Sequence, residues 1–82
     1  MRMRNQEEIV PIPDELLFAQ PLPLKVLKTS NLRAEPDRNS EILTTLEKDT
    51  LVVGYSYIGQ WVRVEIDDGT SGWIFQSLVG GR

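Results

Sequence analysis

The stretch that decides the fold is QWVRVEIDDGTSGWIFQSLV, residues 60–79. Its first part alternates between aliphatic and other side chains, in the order Trp61, Val62, Arg63, Val64, Glu65, Ile66. A period of two is typical of a strand with one buried face. Asp68 and Gly69 then tolerate the positive φ angles that a tight turn requires. Residues 72–75 are predicted to return as the second strand of a hairpin, with Ile74 on the aliphatic side.

The second face of this hairpin carries three aromatic side chains among mixed charges, namely Trp61, Trp73 and Phe75. Exposed aromatic residues supply contact area at low cost in side-chain entropy, so function is expected on this face. Two interpretations of Trp61 stay open, a platform for a ligand and a cap over the edge of the fold. Trp73 follows a glycine at the start of its strand, which favours a structural role.

The composition indicates one small domain and excludes several kinds of chemistry. The chain has 82 residues, a net charge of −3, no cysteine and no histidine. Disulfides, thiolate metal sites and an imidazole base are therefore excluded. The net negative charge argues against nucleic acid as a partner. No apolar stretch approaches the roughly 20 residues that span a bilayer.

No group of residues suggests catalysis, so we expect no catalytic residue and no cofactor. The carboxylates lie in predicted turns, where nothing would raise a pKa for acid–base work. Glu35, Asp37 and Glu41 form an acidic loop that would suit a basic peptide or simply face solvent. A calcium site is disfavoured because this loop lacks the glycine that a sharp ligand loop needs. We expect no metal.

Residues 1–23 differ from the rest of the chain and are predicted to be an arm or linker. They contain four of the five prolines and no regular alternation. Residues 13–20 are compatible with about two helical turns that Pro21 would end. Such a helix carries one apolar patch, Leu16, Leu17 and Phe18, which is the candidate for docking on a partner.

Residues 24–80 read as short strands separated by turns, which predicts a small all-β barrel. The alternation within these strands also predicts the core. Its expected members are Val26, Leu32, Ile42, Leu46, Leu51, Val53, Val62, Val64, Ile74 and Val79.

A series of short motifs in this region resembles the bacterial SH3 (Src-homology-three) domains. The motifs are, in order, Asn31-Leu32-Arg33, a polar loop with Pro36, the strand 42–46, the charged turn 47–50, the segment 59–64, and Gly72-Trp73-Ile74. Two departures from the pattern are an acidic first loop at Ala34 and Glu35, and Asp49 where glycine is common. Aspartate can adopt the left-handed conformation, so the second change is tolerable.

The resemblance implies a five-stranded barrel that binds peptides or peptidoglycan and performs no chemistry. It also implies a ligand groove lined by Arg33, Glu35, Pro36, Tyr57, Trp61, Phe75 and Leu78.

Two functions follow as expectations. The first is a non-catalytic binding module that recognises a peptide or a peptidoglycan stem through the aromatic groove. The alternative is an intracellular regulatory or assembly subunit that docks on a protein through Leu16, Leu17 and Phe18. A complete chain is expected in the cytoplasm, because no signal-peptide core follows the basic start. A fragment of a secreted protein is expected at the cell envelope or outside the cell.

Overall fold

The computed structural model describes residues 14–82, which form one antiparallel sheet. The strands are β1 (Leu16–Val26), β2 (Ser30–Arg33), β3 (Ile42–Leu46), β4 (Leu51–Ile58), β5 (Trp61–Glu65), β6 (Ser71–Phe75) and β7 (Val79–Gly81), with a short 3₁₀ helix, Gln76–Leu78. Their order in the sheet is β3-β2-β6-β5-β4-β1-β7. The predicted all-β, SH3-like fold is confirmed. Seven strands are present where five were predicted, and no pairing joins β3 to β7 within residues 14–82.

The hairpin of β5 and β6 is confirmed, with Ile74 on the aliphatic side as predicted. Val62 pairs with Ile74, and Trp61 pairs with Phe75. The turn is closed by a hydrogen bond from the Gly69 amide to the Ile66 carbonyl (2.9 Å), with Gly69 at φ +89°. Only a residue without a Cβ adopts this conformation freely.

Asp49 adopts a positive φ of 73° in the turn between β3 and β4. The aspartate therefore takes the left-handed conformation that was expected to be tolerable at this position, where glycine is common in the family that the chain resembles. The left-handed conformation costs aspartate less free energy than it would cost a bulkier residue, because the short polar side chain can form hydrogen bonds with the nearby backbone.

The core lies on the aliphatic face of the hairpin and contains most of the predicted residues. The buried members are Val26, Leu32, Leu46, Val52, Val62, Val64 and Ile74. Val79 is half-buried and packs against them. The prediction was wrong for Ile42 and Leu51, which are exposed, and for Val53, which is only half-buried.

The error in β4 has a structural cause. Val52 points into the core, so its neighbours Leu51 and Val53 point away from it, since side chains alternate along a strand. Gly54 lies opposite Val64 on the core side. A Cβ on Gly54 would lie 2.9 Å from Leu24 Cδ1, so the core is already filled at this position by a neighbouring leucine.

The predicted helix over residues 13–20 is wrong where the structure describes it, because β1 begins at Leu16. Leu16 and Leu17 pair with β4, and a large bulge separates them from Leu22. Strand pairing satisfies backbone groups that a helix of two turns would hold only marginally. Pro21 and Pro23 are compatible with this, since β4 is the only sheet neighbour of residues 16–23 within residues 14–82.

The predicted boundary after residue 23 lies within β1, so no change in secondary structure marks it. The division into arm and barrel stays a prediction. The first 13 residues of the predicted arm lie outside the described residues.

Candidate binding groove

A cavity of about 340 Å³ opens beside β2, at the end where the hairpin meets the 3₁₀ helix. We call it the aromatic groove. Its lining residues are Thr29, Ser30, Asn31, Arg33, Arg38, Trp61, Phe75 and Leu78.

Two aromatic rings form one wall of the aromatic groove. Trp61 and Phe75 lie opposite each other across β5 and β6. Their ring centroids are 5.2 Å apart, with an angle of 85° between the rings. This edge-to-face arrangement is a favourable one for aromatic pairs. Both side chains are half-buried, so each keeps surface for a ligand.

Arg33 is held at the end of β2 by the polar loop that follows it. Its Nη1 donates a hydrogen bond to the Ser40 carbonyl (2.9 Å). The loop is closed by the Ala34 amide, which donates to the Glu41 carbonyl (2.9 Å). The Asn39 amide caps the loop tip by donating to Asp37 Oδ1 (2.9 Å). These bonds fix the path of the loop that brings Arg38 to the groove.

Neither groove arginine has a carboxylate partner. Within residues 14–82, the one ion pair joins Arg63 to Glu15. Arg33 and Arg38 are therefore unpaired cations, although Glu35, Asp37 and Glu41 lie in the same loop. The groove combines an aromatic wall with two guanidinium groups that have no carboxylate partner among residues 14–82.

Four of the predicted ligand-binding residues meet in this one cavity, namely Arg33, Trp61, Phe75 and Leu78. Glu35, Pro36 and Tyr57 are not among its lining residues. Glu35 is exposed and exchanges hydrogen bonds with Ser40 within the loop. A ligand role stays a prediction for all seven residues.

Tyr57 is directed away from the groove by a bulge in β4. The pairing with β5 shifts between Gly54 and Ser56, which leaves Tyr55 as an extra residue. A bulge of one residue reverses the alternation that follows it. Tyr57 therefore packs against the core, where Phe18 stacks on it with centroids 5.3 Å apart.

Sequence reasoning missed part of the groove. Asn31 shares a face with Arg33 because the buried Leu32 lies between them, so the alternation of β2 was a usable signal. Arg38 occupies the tip of a loop without any periodicity, and no pattern in the sequence placed it beside Trp61.

A second cluster lies on the same face of the sheet, and we call it the arm cluster. Its members are Glu15, Ser56, Arg63 and Trp73. The Ser56 hydroxyl donates a hydrogen bond to Glu15 Oε2. Arg63 Nε lies 3.4 Å from Glu15 Oε2, and the Arg63 guanidinium lies 4.8 Å from the centre of the Trp73 ring. Trp73 is 3% exposed, in agreement with its expected structural role.

The apolar patch of the arm is divided by the fold. Leu16 and Leu17 are 54% and 66% exposed, whereas Phe18 packs on the domain's own core. A cavity of about 410 Å³ also opens between the bulge of β1 and the sheet. Its lining includes Leu17, Phe18, Pro21, Tyr55, Arg63 and Glu65. Partner docking through the three arm residues stays a prediction.

Within residues 14–82, no helix is long and apolar enough to cross a membrane. No three or more acidic side chains come together there as a set of metal ligands.

The sheet, the buried aliphatic core and the aromatic groove together define a small all-β domain of SH3 type. The family model for the bacterial SH3 domain matches residues 25–80, which is more than half of the chain. The chain belongs to this family. Membership indicates a binding module in general. Comparison with curated proteins and with solved structures gave no significant match.

Proposed function

We propose that this domain is a non-catalytic binding module that recognises a peptide, either in a protein or in the stem of peptidoglycan. The observation that carries the proposal is the aromatic groove, where Trp61 and Phe75 stand beside the unpaired Arg33 and Arg38. Aromatic and arginine side chains are the types that most often dominate binding energy at interfaces.

The chemistry of the lining supports binding rather than catalysis. It contains no carboxylate, imidazole or thiol that could act as a general base or nucleophile. Arginine remains protonated under all ordinary conditions, so it serves as a hydrogen-bond donor and a fixed charge. Hydroxyl groups are present on Thr29 and Ser30, but no base lines the groove to activate them.

Binding to purified peptidoglycan and to arrayed protein peptides tests the proposal. We expect Trp61→Ala to weaken binding at least tenfold, because tryptophan is among the residue types that carry most of the binding energy at interfaces. Tyr55→Ala is the matched control, since Tyr55 is an aromatic residue outside the groove. Unchanged binding by Trp61→Ala, or equal losses in both variants, would refute a role for the groove.

A second candidate function is that of a regulatory or assembly subunit that docks on a protein through the arm. The exposure of the adjacent Leu16 and Leu17 favours it. In this case Leu17→Asp would abolish assembly with the partner, since a charge would enter an apolar contact. Leu51→Asp is the control, because Leu51 is a comparably exposed leucine on β4. Assembly that tolerates both substitutions would exclude the arm.

A further inference from the structure

We infer that the aromatic groove recognises a carboxylate group on the peptide, next to an apolar or aromatic side chain. This inference rests on the proposed function and specifies the ligand of the same site. Arg33 and Arg38 would bind the carboxylate, and Trp61 would contact the neighbouring side chain.

The charge of the groove is opposite to that of the chain. The chain has twelve acidic and nine basic residues, yet the lining holds two arginines and no acidic residue. Both guanidinium groups lack a carboxylate partner within the described part of the chain. An anionic ligand therefore has complementary charge at the groove.

The donors needed for a carboxylate are present. Arg33 uses Nη1 for the Ser40 carbonyl, which orients the guanidinium and leaves its other N–H groups as donors. Arg38 makes no hydrogen bond or ion pair within residues 14–82. Asn31 Oδ1 accepts a hydrogen bond from the Thr45 hydroxyl (3.2 Å), so the amide nitrogen of Asn31 stays available as a donor. Charge-assisted bonds of this kind are about twice as strong as neutral ones.

In the arm cluster, an arginine beside a tryptophan already binds a carboxylate, and this carboxylate belongs to the chain itself. There, a carboxylate from Glu15 lies against Arg63, which lies over Trp73, and a Ser56 hydroxyl completes the contact. Arg63 and Trp61 project from the same face of β5, since they are two residues apart. One arginine–tryptophan site of this face thus holds a carboxylate of the chain itself, while the aromatic groove holds none.

The apolar wall defines the rest of the ligand. Trp61, Phe75 and Leu78 supply a surface that suits an aliphatic or aromatic side chain. A volume of about 340 Å³ accommodates one or two residues of a peptide. A peptide that ends in an apolar residue with a free C-terminal carboxylate can contact both the arginines and the apolar wall. A peptide with an acidic side chain beside an apolar residue can do the same.

Three dipeptide probes test the inference on the full chain by amide and indole NMR titration. They are N-acetyl-Leu-Phe with a free carboxylate, its C-terminal amide, and N-acetyl-Glu-Phe-amide. We expect the free acid to bind about tenfold more tightly than its amide, which is the range for a hydrogen bond to a charged group. The shifts should centre on the Trp61 indole and weaken as salt is added. If the third probe binds as tightly as the free acid, the groove accepts a carboxylate from either a side chain or the C-terminus. If it binds as weakly as the amide, the groove recognises the C-terminal carboxylate. If it binds more tightly than the free acid, the side-chain carboxylate is preferred.

Arg38→Gln, with Lys48→Gln as its control, completes the test. Both residues are exposed and both substitutions change the net charge equally, but only Arg38 lines the groove. We expect Arg38→Gln to remove most of the difference between free acid and amide, and Lys48→Gln to leave it unchanged. Equal affinity of the free acid and the amide for the parent chain would overturn carboxylate recognition while leaving peptide binding intact. Failure of all three probes to shift the Trp61 indole signal would also overturn carboxylate recognition. The proposed function is decided by a separate experiment, the binding of the parent chain and of Trp61→Ala to peptidoglycan and arrayed peptides.

Discussion

The molecule places two tryptophan–arginine sites on one face of its sheet, and they differ in whether the chain fills them. In the arm cluster, Trp73 is buried beneath Arg63, and the side chain of Glu15, 1% exposed, pairs with that arginine. In the aromatic groove, Trp61 is half-buried and the two nearby arginines have no carboxylate partner among the described residues.

The difference comes from the arm rather than from the hairpin. Both tryptophans belong to β5 or β6, and both have an arginine nearby. The start of β1 crosses only one of the two sites, where Glu15, the residue just before the strand, supplies a carboxylate. The site that β1 crosses stabilises the fold. The site that it leaves uncovered is the one we assign to a ligand.

Substitution of the two tryptophans should give the largest contrast between the sites. We expect Trp73→Ala to lower the free energy of unfolding by about 3–5 kcal/mol, since it removes a buried aromatic side chain. Trp61→Ala should lower it by about 1 kcal/mol or less, because this residue is half-buried at the surface. Urea unfolding of both variants measures the difference.

The same pair of variants contains its own control for loss of structure. Trp61→Ala should keep the native far-ultraviolet circular dichroism while it loses ligand binding. Equal losses of stability in the two variants would contradict the view that the arm cluster stabilises the fold while the aromatic groove is left for a ligand.

Removal of the Glu15 charge should have the next largest effect. Glu15→Gln leaves Arg63, which is 18% exposed, without its carboxylate, and we expect a loss of about 2 kcal/mol. Asp14→Asn is the matched control, because Asp14 is the exposed neighbour and asparagine tolerates its positive φ of 75°. Equilibrium unfolding of the full chain provides the measurement.

A double-mutant cycle sharpens this prediction. Combining Glu15→Gln with Arg63→Gln should cost less than the sum of the two single substitutions, because the paired charge is removed together with its partner. Additive costs, or equal effects of Glu15→Gln and Asp14→Asn, would show that the arm does not stabilise the domain through this contact.

The sequence predicted the hairpin because its signals are local. Alternation in residues 61–66 and the Asp68–Gly69 turn are read within a few positions, and they also brought Trp61 and Phe75 to one face. The left-handed conformation of Asp49 was expected to be tolerable from the family resemblance, because glycine is common at that position. Local signals thus identified the most regular part of the fold and the two aromatic residues of the groove, whereas Arg33 and Leu78 were expected from the family resemblance.

The remaining features depend on contacts between distant parts of the chain. Glu15 and Arg63 are 48 positions apart, and no local pattern connects them. The bulge at Tyr55 reverses the alternation of β4, which moved Tyr57 out of the predicted groove and placed it against Phe18. The prolines of the arm predicted the absence of long helix but did not reveal the strand that pairs with β4.

The rim of the arm cluster offers the smallest and most specific test of the comparison. The Tyr55 hydroxyl donates a hydrogen bond to Glu65 Oε1 (3.0 Å), on the border of the cavity beneath the arm. This bond raises the pKa of Tyr55 above its ordinary value of 10.0, with smaller contributions from reduced hydration and from the negative charge of Glu65. The native state therefore retains the tyrosine proton to higher pH than the unfolded state does. The stability that this bond contributes is fully present below pH 10 and is lost as the pH rises through the raised pKa.

Ultraviolet titration of the phenolate isolates this effect, because the chain has two tyrosines and Tyr57→Phe removes one of them while keeping the ring that stacks on Phe18. In that background the midpoint for Tyr55 should lie above 10.0, and adding Glu65→Gln should move it down towards that value. The stability difference between the parent chain and Tyr55→Phe should be constant below pH 10 and shrink above it. A midpoint unchanged by Glu65→Gln would mean that the two side chains do not interact in solution. In that case the Tyr55–Glu65 hydrogen bond would not distinguish the arm cluster from the aromatic groove. The difference between the two sites would then rest on the Glu15–Arg63 ion pair.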